Sequence, residues 1–111
     1  YVSASANGGR TLDDLEAKAL SHVFGAQAKG PWISSIKGAV GESYSSGGIR
    51  AAAMALSIKD SIIPPTLGLK TPLQPLNFVM ERRINTPVAT GLLNGFSSGG
   101  TFASLVMKRM D

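Results

Sequence analysis

The chain has 111 residues, 43% of them hydrophobic, with 13 glycines, a formal charge of +4 and no cysteine. That size and composition suit one small packed domain rather than a disordered tail. The absent thiol excludes disulfides, thiolate metal sites and a cysteine nucleophile within these residues.

The 11 basic residues are scattered, with only Arg82-Arg83 and Lys108-Arg109 adjacent. They form no stripe for nucleic acid or a membrane surface, so neither is expected as a partner. No apolar run approaches the ~20 residues that cross a bilayer. The first residues lack the basic and apolar regions of a signal peptide. The single histidine, His22, excludes chemistry that needs two imidazoles from this chain alone. Because the chain begins at Tyr1 rather than Met, a fragment, a processed product or one piece of a nicked polypeptide is expected.

Residues 1–5 are small and apolar enough for a buried strand. Thr11 offers an N-cap, and Asp13 and Asp14 fall in the first turn, where carboxylates suit the helix dipole. Leu12, Leu15, Ala19 and Val23, with Leu20 and Phe24 beside them, recur at helical spacing and predict the buried face; Gly25 ends the helix. Residues 32–36 read as a second strand, and residues 38–48 as a Gly- and Ser-rich loop. A second helix is expected over 49–61, with Ile49, Ala52, Ala53 and Leu56 on one face and Pro64-Pro65 as its stop. After a proline-containing connection over 66–75, a third strand is expected at 76–80. Residues 88–93 and 102–107, separated by Ser97-Ser98-Gly99-Gly100, predict a hairpin-like pair. The order β-α-β-α-β-β-β predicts an α/β layered fold.

Four segments in this order resemble the β-ketoacyl synthase, or thiolase-like, family and cover nearly the whole chain. Tyr1-Val2-Ser3-Ala4-Ser5 through Asp13, Glu16, Lys18 and Ala19 is similar to a strand ending in Ala-His-Gly-Thr and the helix after it. Ser34-Ser35-Ile36-Lys37 with Gly41 resembles Ser-Ser-x-Lys…Gly-His. Gly47-Gly48-Ile49, the Ala-rich helix and Ile62-Ile63-Pro64-Pro65-Thr66-Leu67 resemble a stretch that ends in Val-Ile-Pro-Pro-Thr. Asn94-Gly95-Phe96-Ser97-Ser98-Gly99-Gly100, then Ala103-Ser104-Leu105-Val106, resembles Asn-Ser-Phe-Gly-Phe-Gly-Gly…Ala-Ser-Leu-Val. The resemblance implies the C-terminal part of a thiolase-like αβαβα fold over residues 1–111, incomplete without an upstream N-terminal segment.

The departures from that pattern carry the functional expectation. In active family members a Cys takes the acyl chain, and two His donate hydrogen bonds to the malonyl thioester carbonyl as CO2 leaves. The resemblance places Ser5 at the first His and Glu42 at the second, with Ala6 and Asn7 replacing the following Gly-Thr. A supporting Glu falls at Ala51, and Ser98 stands at the gating position of the Gly-Phe-Gly-Gly loop. Of the usual polar set only Lys37 remains. An ionised Glu only accepts hydrogen bonds, so it cannot do what an imidazole donor does. Losing one such donor typically costs ~10²–10³ in rate.

Chain length factors are a branch of the family with this character, and Gly41-Glu42-Ser43-Tyr44-Ser45-Ser46-Gly47-Gly48 is similar to their loop. The resemblance implies a non-catalytic subunit that needs no cofactor or metal. It would pair in the cytoplasm with an active ketosynthase, with its own upstream segment and with an acyl carrier protein, and shape a polyketide elongation cavity. A divergent ketosynthase, and an accessory subunit for polyene or fatty acyl products, are the alternatives.

Simpler roles are weighed beside these. Glu42 suits a structural carboxylate satisfied by Lys37, Arg50 or backbone amides, and Lys37 suits a loop-organising residue. Ser5 has no His or acidic partner at a spacing that would activate it. Asn7-Gly8-Gly9-Arg10 could bind an anion at a helix start, though an altered family turn explains it as well. His22 is expected at the surface, and Trp32, Phe78, Phe96 and Phe102 in core or interface packing.

Overall fold

The computed structural model describes residues 1–25, 30–97 and 99–111. Four strands form a mixed sheet in the order β2-β1-β5-β6: β1 (Val2–Ser3), β2 (Ile33–Ser34), β5 (Thr90–Phe96) and β6 (Phe102–Lys108). Strand β1 is central and runs parallel to both neighbours, with Val2 beside Ile33 on one side and Leu92 on the other. Strands β5 and β6 form the expected hairpin, paired from Thr90–Lys108 to Phe96–Phe102.

Alternation along β1 sends successive side chains to opposite faces. Val2 and Ala4 pack with Ile33 and with Leu20 of α1 (Arg10–Phe24). On the other face Tyr1 packs against a cluster of Met54, Ile58, Ile63, Val79 and Val88, which includes two residues of α3 (Ser46–Asp60). The sheet therefore lies between two helices, the layered α/β arrangement that the sequence predicts.

Several elements depart from expectation. Residues 76–80 form no full strand: they reach the sheet through one parallel bridge, Phe78 to Ile33, with Ile33 N–H on the Asn77 carbonyl and Val79 N–H on the Ile33 carbonyl, each at 2.9 Å. Pro72 and Pro75, just upstream, offer no N–H for a ladder. Instead, β3 (Ile62–Ile63) pairs antiparallel with β4 (Ile84–Asn85) in a separate two-stranded sheet. The loop expected over 38–48 contains a helical turn, α2 (Lys37–Val40), and α3 begins three residues before Ile49. A Cβ on Gly38 would lie 2.4 Å from the Leu67 carbonyl oxygen, so that turn requires glycine.

Both long helices are rotated from the face their apolar spacing predicts, α1 only in part, since Leu20 is buried and Phe24 packs against the core as expected. In α1 the buried residues are Glu16, Ala17 and Leu20, while Leu15 and Val23 are 45% and 70% exposed. In α3 they are Ser46, Arg50, Met54, Ser57 and Ile58, while Ile49 and Leu56 are 51% and 55% exposed. Two buried charged residues fix these rotations. Glu16 and Arg50 can be buried only where hydrogen-bond partners wait, and those partners lie at the strand ends described below. Helix α1 also starts on Gly9 rather than Thr11, without a side-chain cap; it ends as expected at Gly25.

Helix α3 approaches the sheet closely at one point. A Cβ on Gly91 would stand 2.1 Å from Met54 Sδ. Gly91→Ala is expected to destabilise the assembled protein by about 1–3 kcal/mol through overpacking. Because the two side chains share one space, adding Met54→Ala should cost less than the sum of the single changes, as read from urea unfolding of all three variants.

Candidate functional site

In parallel sheets, sites form outside the carboxyl ends of the strands. Strands β1, β2 and β5 all point to one edge here. The segments that follow them, 4–9, 35–45 and Ser97 with 99–101, therefore meet there. Three of the four residues singled out from sequence, Ser5, Lys37 and Glu42, come together at this edge. The fourth, Ser98, lies outside the described residues.

Lys37 opens α2 and is buried, and its Nζ donates to Glu42 Oε2 at 2.6 Å. Asn7 Nδ2 donates to the same oxygen at 2.9 Å. Oε1 accepts from the Ser43 amide at 3.0 Å and from Ser46 Oγ at 3.2 Å. Of the partners proposed for Glu42 from sequence, Lys37 and a backbone amide are present; Arg50 acts on it only through its charge. The Lys37 hydrogen bond, with those of Asn7 and Ser46, holds Glu42 down to about 2 from an ordinary 4.5 against the opposing effect of burial.

Ser5 Oγ accepts from the Phe96 amide at 3.2 Å and takes a long contact of 3.5 Å from Lys37 Nζ. An ammonium already donating to Glu42 has no lone pair for that hydroxyl's proton, so this pair is no activated nucleophile. The Ser5 amide donates to Glu16 Oε1 at 2.9 Å, and Asn94 Nδ2 reaches the same oxygen at 3.2 Å. Burial pushes the Glu16 carboxyl up. Arg50, 3% exposed, donates from Nη2 to the Ser3 carbonyl at 2.9 Å and to the Asn94 carbonyl at 2.5 Å. Burial lowers its pKa, opposed by the charges of Glu16, Glu42 and Tyr1. Asn94 thus links a buried cation to a buried carboxylate, and Ser104 Oγ completes its set at 2.8 Å.

Sequence reading missed Glu16, Asn94 and Arg50 as members of one network. They are 78 and 44 residues apart along the chain, with Asn94 common to both spans. The only available signal was a charge inside each helix, and helix spacing alone reads such charges as surface. The Asn7–Arg10 turn offers no anion site. Asp13 takes the Asn7 and Gly8 amides, at 3.1 and 2.8 Å, and Asn7 Oδ1 takes that of Gly9. His22 is exposed on α1, Trp32 is 39% exposed, and the Phe96 and Phe102 rings pack at 5.0 Å. Next to the site, a cavity of about 280 Å³ is walled by Ala4, Ala6, Leu20, Ile33, Leu67 and Phe78. Among the described residues no cluster of three His, Cys, Asp or Glu could hold a metal, and no helix is long and apolar enough to cross a membrane.

Two outcomes follow from this geometry. Glu42 binds its proton more weakly folded than unfolded, so its stabilising contribution is full above its ordinary 4.5 and is lost as pH falls through about 2. The stability difference between the native protein and Glu42→Gln should therefore shrink between about pH 5 and pH 2, followed by denaturant unfolding. Glu16 acts in the opposite sense: its cost appears as pH rises above 4.5. Arg50→Met removes the cation coupled to that carboxylate. A loss of about 3 kcal/mol or more is expected, with Glu16 pushed further up in a carboxyl NMR titration.

Residues 1–70 match the family described as beta-ketoacyl synthase, C-terminal domain. Across 99% of its length the chain is 31% identical to 3-oxoacyl-[acyl-carrier-protein] synthase 2 of Coxiella burnetii, and across its whole length 33% identical to the synthase of that name from Staphylococcus aureus. It spans about a quarter of these relatives, 27% and 28%. Among solved structures, the ishigamide ketosynthase/chain length factor superposes with a TM-score of 0.90 at 26% identity, over 99% of this chain and 28% of that one. A type II polyketide synthase acyl-carrier protein in complex with its ketosynthase bound to the hexaketide gives 0.92, also at 26% identity, over 100% and 28%. A beta-ketoacyl synthase from Burkholderia phymatum gives 0.89 at 26% identity, over 100% and 28%. Sequence, fold and strand-end geometry agree: the chain belongs to the β-ketoacyl synthase family and carries its C-terminal, thiolase-like α/β fold.

Proposed function

We propose that this chain is the C-terminal part of a chain length factor, a non-catalytic subunit that pairs with an active ketosynthase in type II polyketide synthesis. The observation that carries this reading is the state of Glu42. With its carboxyl held at about 2, it is ionised at neutral pH and accepts from four donors. An ionised carboxylate has no proton to donate to a thioester carbonyl, and its charge repels a malonyl carboxylate. Ser5, at the other family histidine position, has its hydroxyl oxygen engaged by the Phe96 amide. The likeness to a solved ketosynthase/chain length factor supports the same reading.

Apolar surface supports a role inside a larger assembly. Phe102, Leu105 and Val106 of β6 and Ile49 and Leu56 of α3 are each more than half exposed. Strand β6 also has a free edge, which proteins normally cover. In this proposal an upstream segment of the same protein and the ketosynthase partner cover these faces, and an acyl carrier protein visits the pair.

The names of the curated relatives favour a second reading, a divergent ketosynthase with a relocated mechanism. Purified subunit and reconstituted pair discriminate the two. On the leading reading the subunit alone forms no carbon–carbon bond from malonyl and acyl thioesters, whereas the pair does. Ser5→His with Glu42→His should add no condensing activity unless a Cys nucleophile is also supplied. Acyl transfer by the isolated, unaltered subunit would establish the second reading instead.

A further inference from the structure

The donors around Glu42 are assembled largely without it. Asn7 belongs to the segment after β1, Lys37 to α2 and Ser46 to α3, so three separate pieces of backbone bring them to one point. The cation is the enclosed partner: the Lys37 side chain is 6% exposed, against 44% for Glu42. Both carboxylate oxygens are bonded, Oε2 to Lys37 and Asn7, and Oε1 to Ser46 and the Ser43 amide. Fixed donors of this kind around a buried ammonium are what a binding site for a free carboxylate needs. We propose that Lys37, Asn7 and Ser46 form a carboxylate-binding cradle that Glu42 fills as a tethered ligand, and that a free carboxylate takes its place once that side chain is removed.

Tethering explains why the native protein would not take up such a ligand. A side chain held next to its site has an effective concentration that a dissolved acid cannot match. Removing it strands a buried ammonium, which is costly and favours uptake of a small anion. Two bonded oxygens in one plane select a carboxylate over a spherical halide. That the cradle's occupant keeps out a malonyl group rests on the non-catalytic reading above; the cradle itself does not.

The test uses the full-length protein with its partner, carrying Glu42→Ala. Its thermal stability should fall, then rise saturably with added acetate or formate. At ten times the dissociation constant, the folding equilibrium should shift by about 11-fold. Chloride at equal ionic strength and neutral acetamide should have no such effect, nor should acetate on the native protein or on Glu42→Gln. Lys37→Met in the Glu42→Ala background should abolish the response. A folded Glu42→Ala protein indifferent to carboxylates, or a response that survives Lys37→Met, overturns the proposal. If Glu42→Ala does not fold alone, refolding in acetate, but not in chloride or acetamide, should recover the folded protein, and failure of acetate to do so refutes the cradle. Condensing activity in the unaltered subunit would defeat the functional reading while leaving these ligand responses unchanged.

Discussion

A guanidinium removed from water is tolerated only where carbonyl or carboxylate groups replace the lost solvent. Arg50 finds the carbonyls of Ser3 and Asn94, one at the end of β1 and the other within β5. That pair of hydrogen bonds ties α3 to two strands at the edge where the site forms. Through Asn94 it also sets the cation near Glu16 of the opposite helix layer, which in turn receives the amide of Ser5. Two layers of the molecule are thus coupled through a polar seam that crosses the sheet. Among the described residues the apolar clusters on either side hold five and four buried residues.

Much of the architecture could be read from the chain. The small-residue strand at the start of the chain and the paired apolar runs at its end follow local rules that tertiary context did not override, whereas α3 ends at Asp60 on a left-handed Ser61 before the prolines are reached. The family likeness singled out Ser5, Lys37 and Glu42, and the fold brings these three together at one edge. The helix faces could be read only in part: Leu20 and Phe24 pack inward as expected, but hydropathy spacing assumes that every oily residue does so. In α3 the demand of Arg50 for acceptors outweighs Ile49 and Leu56, and in α1 Glu16 does the same to Leu15 and Val23. Residues 76–80 have strand-like composition, yet they meet the sheet at a single bridge.

At the strand ends, opposite charges are sorted into two sets. Lys37 answers Glu42 directly, while Arg50 answers Glu16 through an amide. The first set is open on its acidic side and the second is closed. This sorting leaves Ser5 Oγ with the Phe96 amide and the Lys37 ammonium as its partners among the described residues. The neighbouring cavity has mainly apolar walls, and Asn7, which also lines it, is already committed to Glu42.

The rotated helix α3 bears on any attempt to redesign this domain. A procedure that ranks rotations by burying oil would turn the helix by roughly a third of a revolution, seat Ile49 and Leu56 on the sheet and push Arg50 outward. The Ser3 and Asn94 carbonyls would then lose a donor, and the bulk of Met54 would leave the hollow that Gly91 provides. Sequence idealisation of the usual sort would improve the helix as a peptide and dismantle it as a keystone.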